Sequence, residues 1–207
     1  MGKTLPILLV AALVSISSPA SGQLIDRILA VVAGEPITLS DVTAAVRFGL
    51  IDAGGGADRQ QVALNALIDR QLQLIEVNRY LPPEPPAAEI DARLAQIRAR
   101  FANQAAFETA LQETGVNHAQ LRARVRDSLR IEGYLNQRFG ASSQPPEDEL
   151  LRYYRAHEAD FTKNGVLQPF DAVRDEVRRR VVEERAASLV RDWNANLRRR
   201  ADVTILP

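Results

Sequence analysis

Ile28-Leu29-Ala30-Val31-Val32-Ala33-Gly34-Glu35-Pro36-Ile37-Thr38-Leu39 is the stretch on which the architecture of this chain turns. The β-prone run from Ile28 to Val32 is followed by a turn at Gly34-Glu35-Pro36 and a return through Ile37 to Leu39. The segment from Ile25 to Leu39 therefore reads as a short hairpin. A hairpin alone is marginal in water, and a third strand is the usual remedy. The chain supplies one at its other end, Val203-Thr204-Ile205-Leu206. Between these ends the apolar residues recur at helical spacing. The fold class that follows is mainly α: several helices around a small β-sheet formed by an N-terminal hairpin and a C-terminal strand.

Outward from the hairpin, Ser40 caps a first helix that begins at Asp41-Val42 and runs to about Ile51, its acid in the first turn where the helix dipole favours it. Asp52-Ala53-Gly54-Gly55-Gly56 then makes a flexible connection. No Gly-Lys-Ser/Thr follows it and no strand directly precedes it, so it is not a phosphate loop. Asp58 caps a second helix reaching about Tyr80. Its Leu64, Leu67, Ile68, Leu72, Leu74 and Ile75 cover a face broader than a surface helix needs, which places it centrally. Pro82-Pro83-Glu84-Pro85-Pro86 ends it with a stiff spacer. A third helix carries Ile90, Leu94, Ile97 and Phe101 as a single stripe. Asn103 caps a short fourth helix bearing Phe107 and Leu111 and stopped at Gly115. Asn117 and Gln120 form a capping box for a fifth helix that Gly140 closes after Phe139. Beyond the linker Ala141 to Pro146, Glu147-Asp148-Glu149 opens a sixth helix running to about Asp160. A short break from Phe161 to Gln168 precedes the last helix, residues 171–200, seamed by Val173, Val177, Val181, Val182, Ala186, Leu189, Trp193 and Leu197.

Residues 1–22 read as a secretory signal peptide. Met1-Gly2-Lys3 gives a positive start, Leu5 to Ile16 an apolar run, and Ala20 and Gly22 stand before a cleavage site at Gln23. A membrane span needs about 17–25 apolar residues, more than this run offers; an uncleaved anchor is the rival reading. The expected product is a periplasmic protein, Gln23 to Pro207, folded as one helical domain closed by the helix of residues 171–200 and the strand of residues 203–206. At 207 residues, 46% hydrophobic and 25% charged, the composition is that of an ordinary globular protein. Twenty-six basic residues balance twenty-six acidic ones. A polyanion binder carries a basic excess, so nucleic acid is not an expected partner. Cysteine is absent, which excludes disulfides, a thiolate nucleophile and a cysteine zinc site.

The search for chemistry returns little. His118 and His157 stand on different helices with no histidine at helical spacing, and read as surface residues rather than metal ligands. There is no Gly-x-Ser-x-Gly elbow and no His-Glu-x-x-His. Glu183-Glu184 lies amid arginines, as solvated charge. No catalytic residue and no cofactor is expected. Two features offer binding instead. Phe48, Phe101, Phe107, Tyr134, Tyr153, Tyr154 and Phe161 are spread over separate elements. Core packing is the default for each, and an apolar peptide groove is the alternative if several face one concavity. Arg122, Arg126 and Arg130 form a basic row at four-residue spacing, either a solvated face or a site for acidic ligands.

The order of pieces adds a resemblance. The hairpin leads into Ser40-Asp41-Val42, then Ala66-Leu67-Ile68-Asp69-Arg70-Gln71-Leu72, a helix pair ending near Arg138-Phe139, and Glu147-Asp148-Glu149-Leu150-Leu151-Arg152-Tyr153-Tyr154. Pro169-Phe170-Asp171-Ala172-Val173 and the closing helix and strand follow. Over nearly all of Leu24 to Leu206 this resembles the periplasmic chaperone and peptidyl-prolyl isomerase family of SurA, PpiD and PrsA. In that family one or two parvulin isomerase domains are inserted before the closing helix. Here the equivalent place is Phe161 to Gln168, too short for one. The resemblance thus implies the helical chaperone module without isomerase activity. Its partners would be unfolded or extended envelope proteins, outer-membrane proteins among them, bound without ATP. A degenerate prolyl isomerase and an accessory adaptor with one fixed partner are the competing readings.

Overall fold

A computed structural model describes residues 26–207; the expected signal peptide lies outside the described residues. The hairpin is present as β1 (Ile28–Val32) and β2 (Glu35–Thr38). Its turn is tighter than the sequence reading placed it. Val32 pairs with Glu35, and the two residues between them, Ala33 and Gly34, both take positive φ (51° and 87°). That is the two-residue geometry whose twist matches antiparallel strands. Pro36 therefore belongs to β2, an edge strand, where its missing N–H costs little. The closing strand β5 (Val203–Ile205) runs antiparallel to β1, with Ala30 opposite Ile205 and Val32 opposite Val203, giving the order β2-β1-β5. Ala33 N–H donates to the Asp202 carbonyl at 2.9 Å and Leu206 N–H to that of Leu29 at 2.9 Å. The ends of the described chain close one sheet, as expected.

Seven α-helices carry the rest of the described residues: α1 (Leu39–Arg47), α2 (Arg59–Tyr80), α3 (Ala87–Arg98), α4 (Gln104–Thr114), α5 (His118–Phe139), α6 (Glu147–Ala156) and α7 (Phe170–Arg200). Asn103 and Asn117 cap as expected, each side chain accepting a backbone N–H at 2.9 Å. At α1 the reading needs correction. β2 ends at Thr38 in extended conformation, so Thr38, not Ser40, stands at the cap: its hydroxyl accepts Asp41 N–H at 3.2 Å while Asp41 Oδ2 accepts Thr38 N–H at 3.1 Å. The helix also stops four residues earlier than Ile51. Gly49 takes φ 61°, its N–H reaches the Val46 carbonyl and that of Leu50 the Ala45 carbonyl, a Schellman ending. The sixth helix likewise ends sooner, at Ala156, and a 3-10 turn covers Glu158–Phe161. The break before α7 is itself a hairpin, β3 (Thr162–Lys163) and β4 (Val166–Leu167), turned at Asn164-Gly165.

Three apolar cores result. The first joins β1 and β2 to α2, the later half of α5 and the end of α7, through Val32, Ile68, Tyr134, Trp193 and Leu197. α2 is buried on several sides, as its broad apolar face requires. The second gathers Phe48, α3, α4 and the earlier half of α5. The third is small: Leu150, Phe161, Val173, Val177 and Val181, from α6, the 3-10 turn and the start of α7. Along α7 no residue from 182 to 192 is fully buried, so this helix bridges the first and third cores.

Candidate functional site

The aromatic residues singled out in the sequence occupy three separate places. Phe48 and Phe107 are fully buried in the second core, ring centroids 6.0 Å apart, with half-buried Phe101 beside both at 6.0 and 5.4 Å. Tyr153 and Tyr154 belong to the third core. Tyr153 stacks on His157 and donates its hydroxyl to Glu184 at 2.6 Å; partial burial and that carboxylate push its phenol above the usual value. Tyr154 packs between Phe161 and Phe170 and donates to the Gln168 carbonyl at 2.6 Å. Tyr134 stands apart in the first core. With Phe161 buried in the third core, the seven do not line one concavity.

The arginine row is answered from within the chain. Arg122 pairs with Asp91 and Arg126 with Asp127 at 3.0 Å. Arg130 is buried; it donates to Asn78 Oδ1 at 2.9 Å, and its Nε lies 3.2 Å from Glu84 Oε1 without the alignment of a hydrogen bond. Glu84 is the single acid within the proline spacer, and Arg126 also approaches it, at 3.9 Å. Arg126 and Arg130 thus tie the spacer to α5 through Glu84, while Arg122 ties α3 to α5.

That spacer walls the most exposed apolar feature of the first core. At the end of α2, an open hollow of about 380 Å³ is lined by Tyr80, Leu81, Pro82, Pro83, Tyr134 and Arg138. Tyr80 is 60% exposed and Leu81 75% exposed. The Tyr80 ring lies 5.6 Å from that of Tyr134, which lies 5.8 Å from Trp193; Phe139 meets Trp193 at 5.9 Å. Arg138 covers Tyr134, Phe139 and Trp193 at 6.0, 5.5 and 5.6 Å, placing one cation, with the Gln137 amide, at the rim of a mainly apolar surface. Leu81 is doubly unfavourable on its own. Pro82 keeps it from continuing the right-handed helix, and it leaves at φ 47°, ψ 58°, a left-handed conformation costing roughly 1–2 kcal/mol outside glycine. It also holds a large apolar side chain in water. Such local cost is a pointer to use.

Tyr134 was visible in the sequence as a candidate. Tyr80, Leu81 and Arg138 were not, since an aromatic at a helix end and a leucine before proline carry no motif.

No protein-family model and no curated protein sequence matches the chain. Among solved structures, a match is found to one of two structurally related SurA-like chaperones of Campylobacter jejuni, the virulence factor PEB4 and the periplasmic protein Cj1289. The TM-score is 0.50 at 15% identity, over 88% of this chain and 100% of that one. The fold is SurA-like. Within that fold, α6 passes to α7 through the β3–β4 hairpin, whose base is closed by Gln168 N–H on the Phe161 carbonyl at 3.0 Å. No helix among the described residues is long and apolar enough to cross a membrane.

Proposed function

We propose that this protein is a periplasmic, ATP-independent chaperone that holds unfolded or extended polypeptides, outer-membrane proteins among them, without isomerising prolines. The observation that carries the reading is the hollow at Tyr80 and Leu81: a rigidly walled, exposed apolar surface on a SurA-like fold. Holding a client needs no reacting group, only apolar area. At about 25 cal/mol per Å² of area withdrawn from water, a few client side chains against Tyr80, Leu81 and the edge of Tyr134 offset the ordering of an extended segment. The resulting affinity is of micromolar order, roughly −8 kcal/mol, weak enough for release. Arg138 at the rim favours client aromatics through their ring faces. Phe101, Tyr153 and Tyr154, half-buried, contribute edges elsewhere on the same chain, and Arg122 and Arg126 add an electrostatic share that salt screens. Phe48 and Phe107 support the second core from inside.

The test is titration of the protein into a refolding porin, followed by light scattering. Suppression of aggregation at several-fold molar excess, without nucleotide, is expected, with no turnover in a protease-coupled proline-peptide assay. Absence of suppression overturns the holding function and leaves a fixed-partner adaptor as the better account.

A further inference from the structure

A second hollow, of about 140 Å³, opens between β2, α1, α2 and α5. Its floor is apolar, with Ile37, Ala45, Leu50 and Leu67; its wall carries Asp41, Arg70, Gln71 and Arg124. Asp41 is already engaged. Its Oδ1 accepts Arg124 Nη2 at 2.7 Å, and its Oδ2 accepts the N–H and hydroxyl of Thr38 at 3.1 and 3.0 Å. Arg70 is left over. Its Nη2 donates to the Arg124 carbonyl at 2.8 Å and to Ser128 Oγ at 3.3 Å, while its Nε and Nη1 find no acceptor among the described residues. No carboxylate among those residues forms an ion pair with it. The acid it feels most, Asp127, is spent on Arg126 and Arg130. Burial works against the Arg70 charge, and neighbouring Arg124 adds to the strain. The wall thus holds two guanidiniums and one carboxylate, with a side-chain amide, Gln71, beside the unanswered guanidinium.

We propose that this hollow is a binding site for a carboxylate borne on a short apolar group, the arrangement found at the C-terminal residue of a polypeptide. The carboxylate meets the free edge of Arg70 and the amide of Gln71, and the alkyl group lies on Leu50 and Leu67. The size agrees: a cavity of about 150 Å³ takes a benzene ring, so this one takes a carboxyl and a branched side chain of valine size. The chain's own C-terminus is not the occupant, because it follows β5, separated from β2 by β1. The assignment stands apart from the chaperone reading, since a small carboxylate tests it without any client.

The experiment is an NMR titration of the ¹⁵N-labelled protein with N-acetylvaline, N-acetylvalinamide, isovalerate, and a ten-residue peptide ending in valine as the free acid or the amide. Saturable shifts at Ala45, Leu50 and Gln71 are expected with the acids, and binding at least about tenfold weaker with the amides, the loss expected for one charge-assisted bond. Arg70→Met abolishes the shifts. Leu50→Trp, which fills the floor and leaves both guanidiniums, abolishes them too and serves if Arg70→Met does not fold. A peptide acid that binds more tightly than isovalerate assigns the site to chain ends; equal binding assigns it to free carboxylic acids. Amides that bind as well as acids, or a folded Arg70→Met that binds unchanged, overturn the proposal.

Discussion

Leu81→Gly tests the central reading, because it drives stability and client binding in opposite directions. Leu81 occupies φ 47°, ψ 58° at the end of α2 with 75% of its surface exposed. Glycine removes a left-handed penalty of roughly 1–2 kcal/mol, offset by about 0.4–1 kcal/mol from the greater freedom of glycine in the unfolded chain. The net gain is about 0.5–1 kcal/mol. For a domain of this size, at about 2–4 °C per kcal/mol, the melting temperature rises by roughly 1–4 °C. Client binding falls. Complete burial of a leucine contributes about 1.5–3 kcal/mol, and three-quarters of this side chain is available, so about 1–2 kcal/mol is lost. That weakens the dissociation constant roughly 5–30-fold. The assay pairs a calorimetric melt with fluorescence anisotropy of a labelled unfolded outer-membrane-protein fragment. A variant that melts lower shows that Leu81 packs in the fold. A variant that melts higher and binds equally well removes the hollow from client binding.

Three further outcomes are expected. Deletion of Asp202–Pro207 strips β1 of its second partner and the Ala33–Asp202 and Leu29–Leu206 bonds. At about 0.5–1.5 kcal/mol for each lost bond, the unfolding free energy of the whole protein drops by several kcal/mol, read as a lower urea midpoint; an unchanged midpoint refutes closure by the chain ends. Gly49→Ala meets φ 61° and the Arg100 guanidinium, which lies where a Cβ would stand and bonds the carbonyls of Phe48 and Gly49. It costs about 2–3 kcal/mol, whereas Gly55→Ala, in open space, changes stability by under about 0.5 kcal/mol; equal melts for the two refute the account. Client peptides gain affinity stepwise once they pass about ten residues, a length set by α7 below; affinity independent of length across eight to sixteen residues argues for one patch only.

What the sequence disclosed and what it hid divide along physical lines. The hairpin, the closing strand, the asparagine caps and the helical stripes are local patterns, each forced by a few neighbouring residues, and they were legible. The turn of the hairpin was misplaced because Ala33 takes a left-handed conformation that its own side chain disfavours; the strand pairing on either side imposes it. Ser40 resembled a cap because serine commonly is one, but the cap falls where β2 ends, at Thr38, and only the strand fixes that point. The arginine row was visible as spacing, yet its partners Asp91 and Glu84 come from α3 and the proline spacer. No local pattern announces a contact across 31 or 46 positions of chain. The hollow itself combines an exposed helix end, a strained leucine and a tyrosine from α5, so it exists only after packing.

The long last helix gives that hollow its reach. α7 spans 31 residues, and Trp193, buried behind the hollow's Tyr134, follows Phe170 by about 35 Å at 1.5 Å per residue. At the Phe170 end stands the β3–β4 hairpin, with Val166 63% and Leu167 37% exposed, a second apolar patch on the small third core. Between them, residues 182–192 bury no side chain fully. Ion pairs hold this half of α7 to α6: Arg185 to Glu149 at 2.6 Å, Arg174 and Arg178 to Glu147 at 2.9 and 3.2 Å. At the other end Arg198 pairs with Asp69 and Gln73 bonds Asn194 on α2. A helix held along its length, to α6 through Arg185 and to α2 through Arg198 and Gln73, sets a fixed distance between two apolar patches. An extended strand advances about 3.3 Å per residue, so a client of about ten residues is the shortest that touches both. On the proposed chaperone function, shorter segments engage one patch and leave quickly, and the arrangement favours an unfolded chain, which offers an extended stretch of that length.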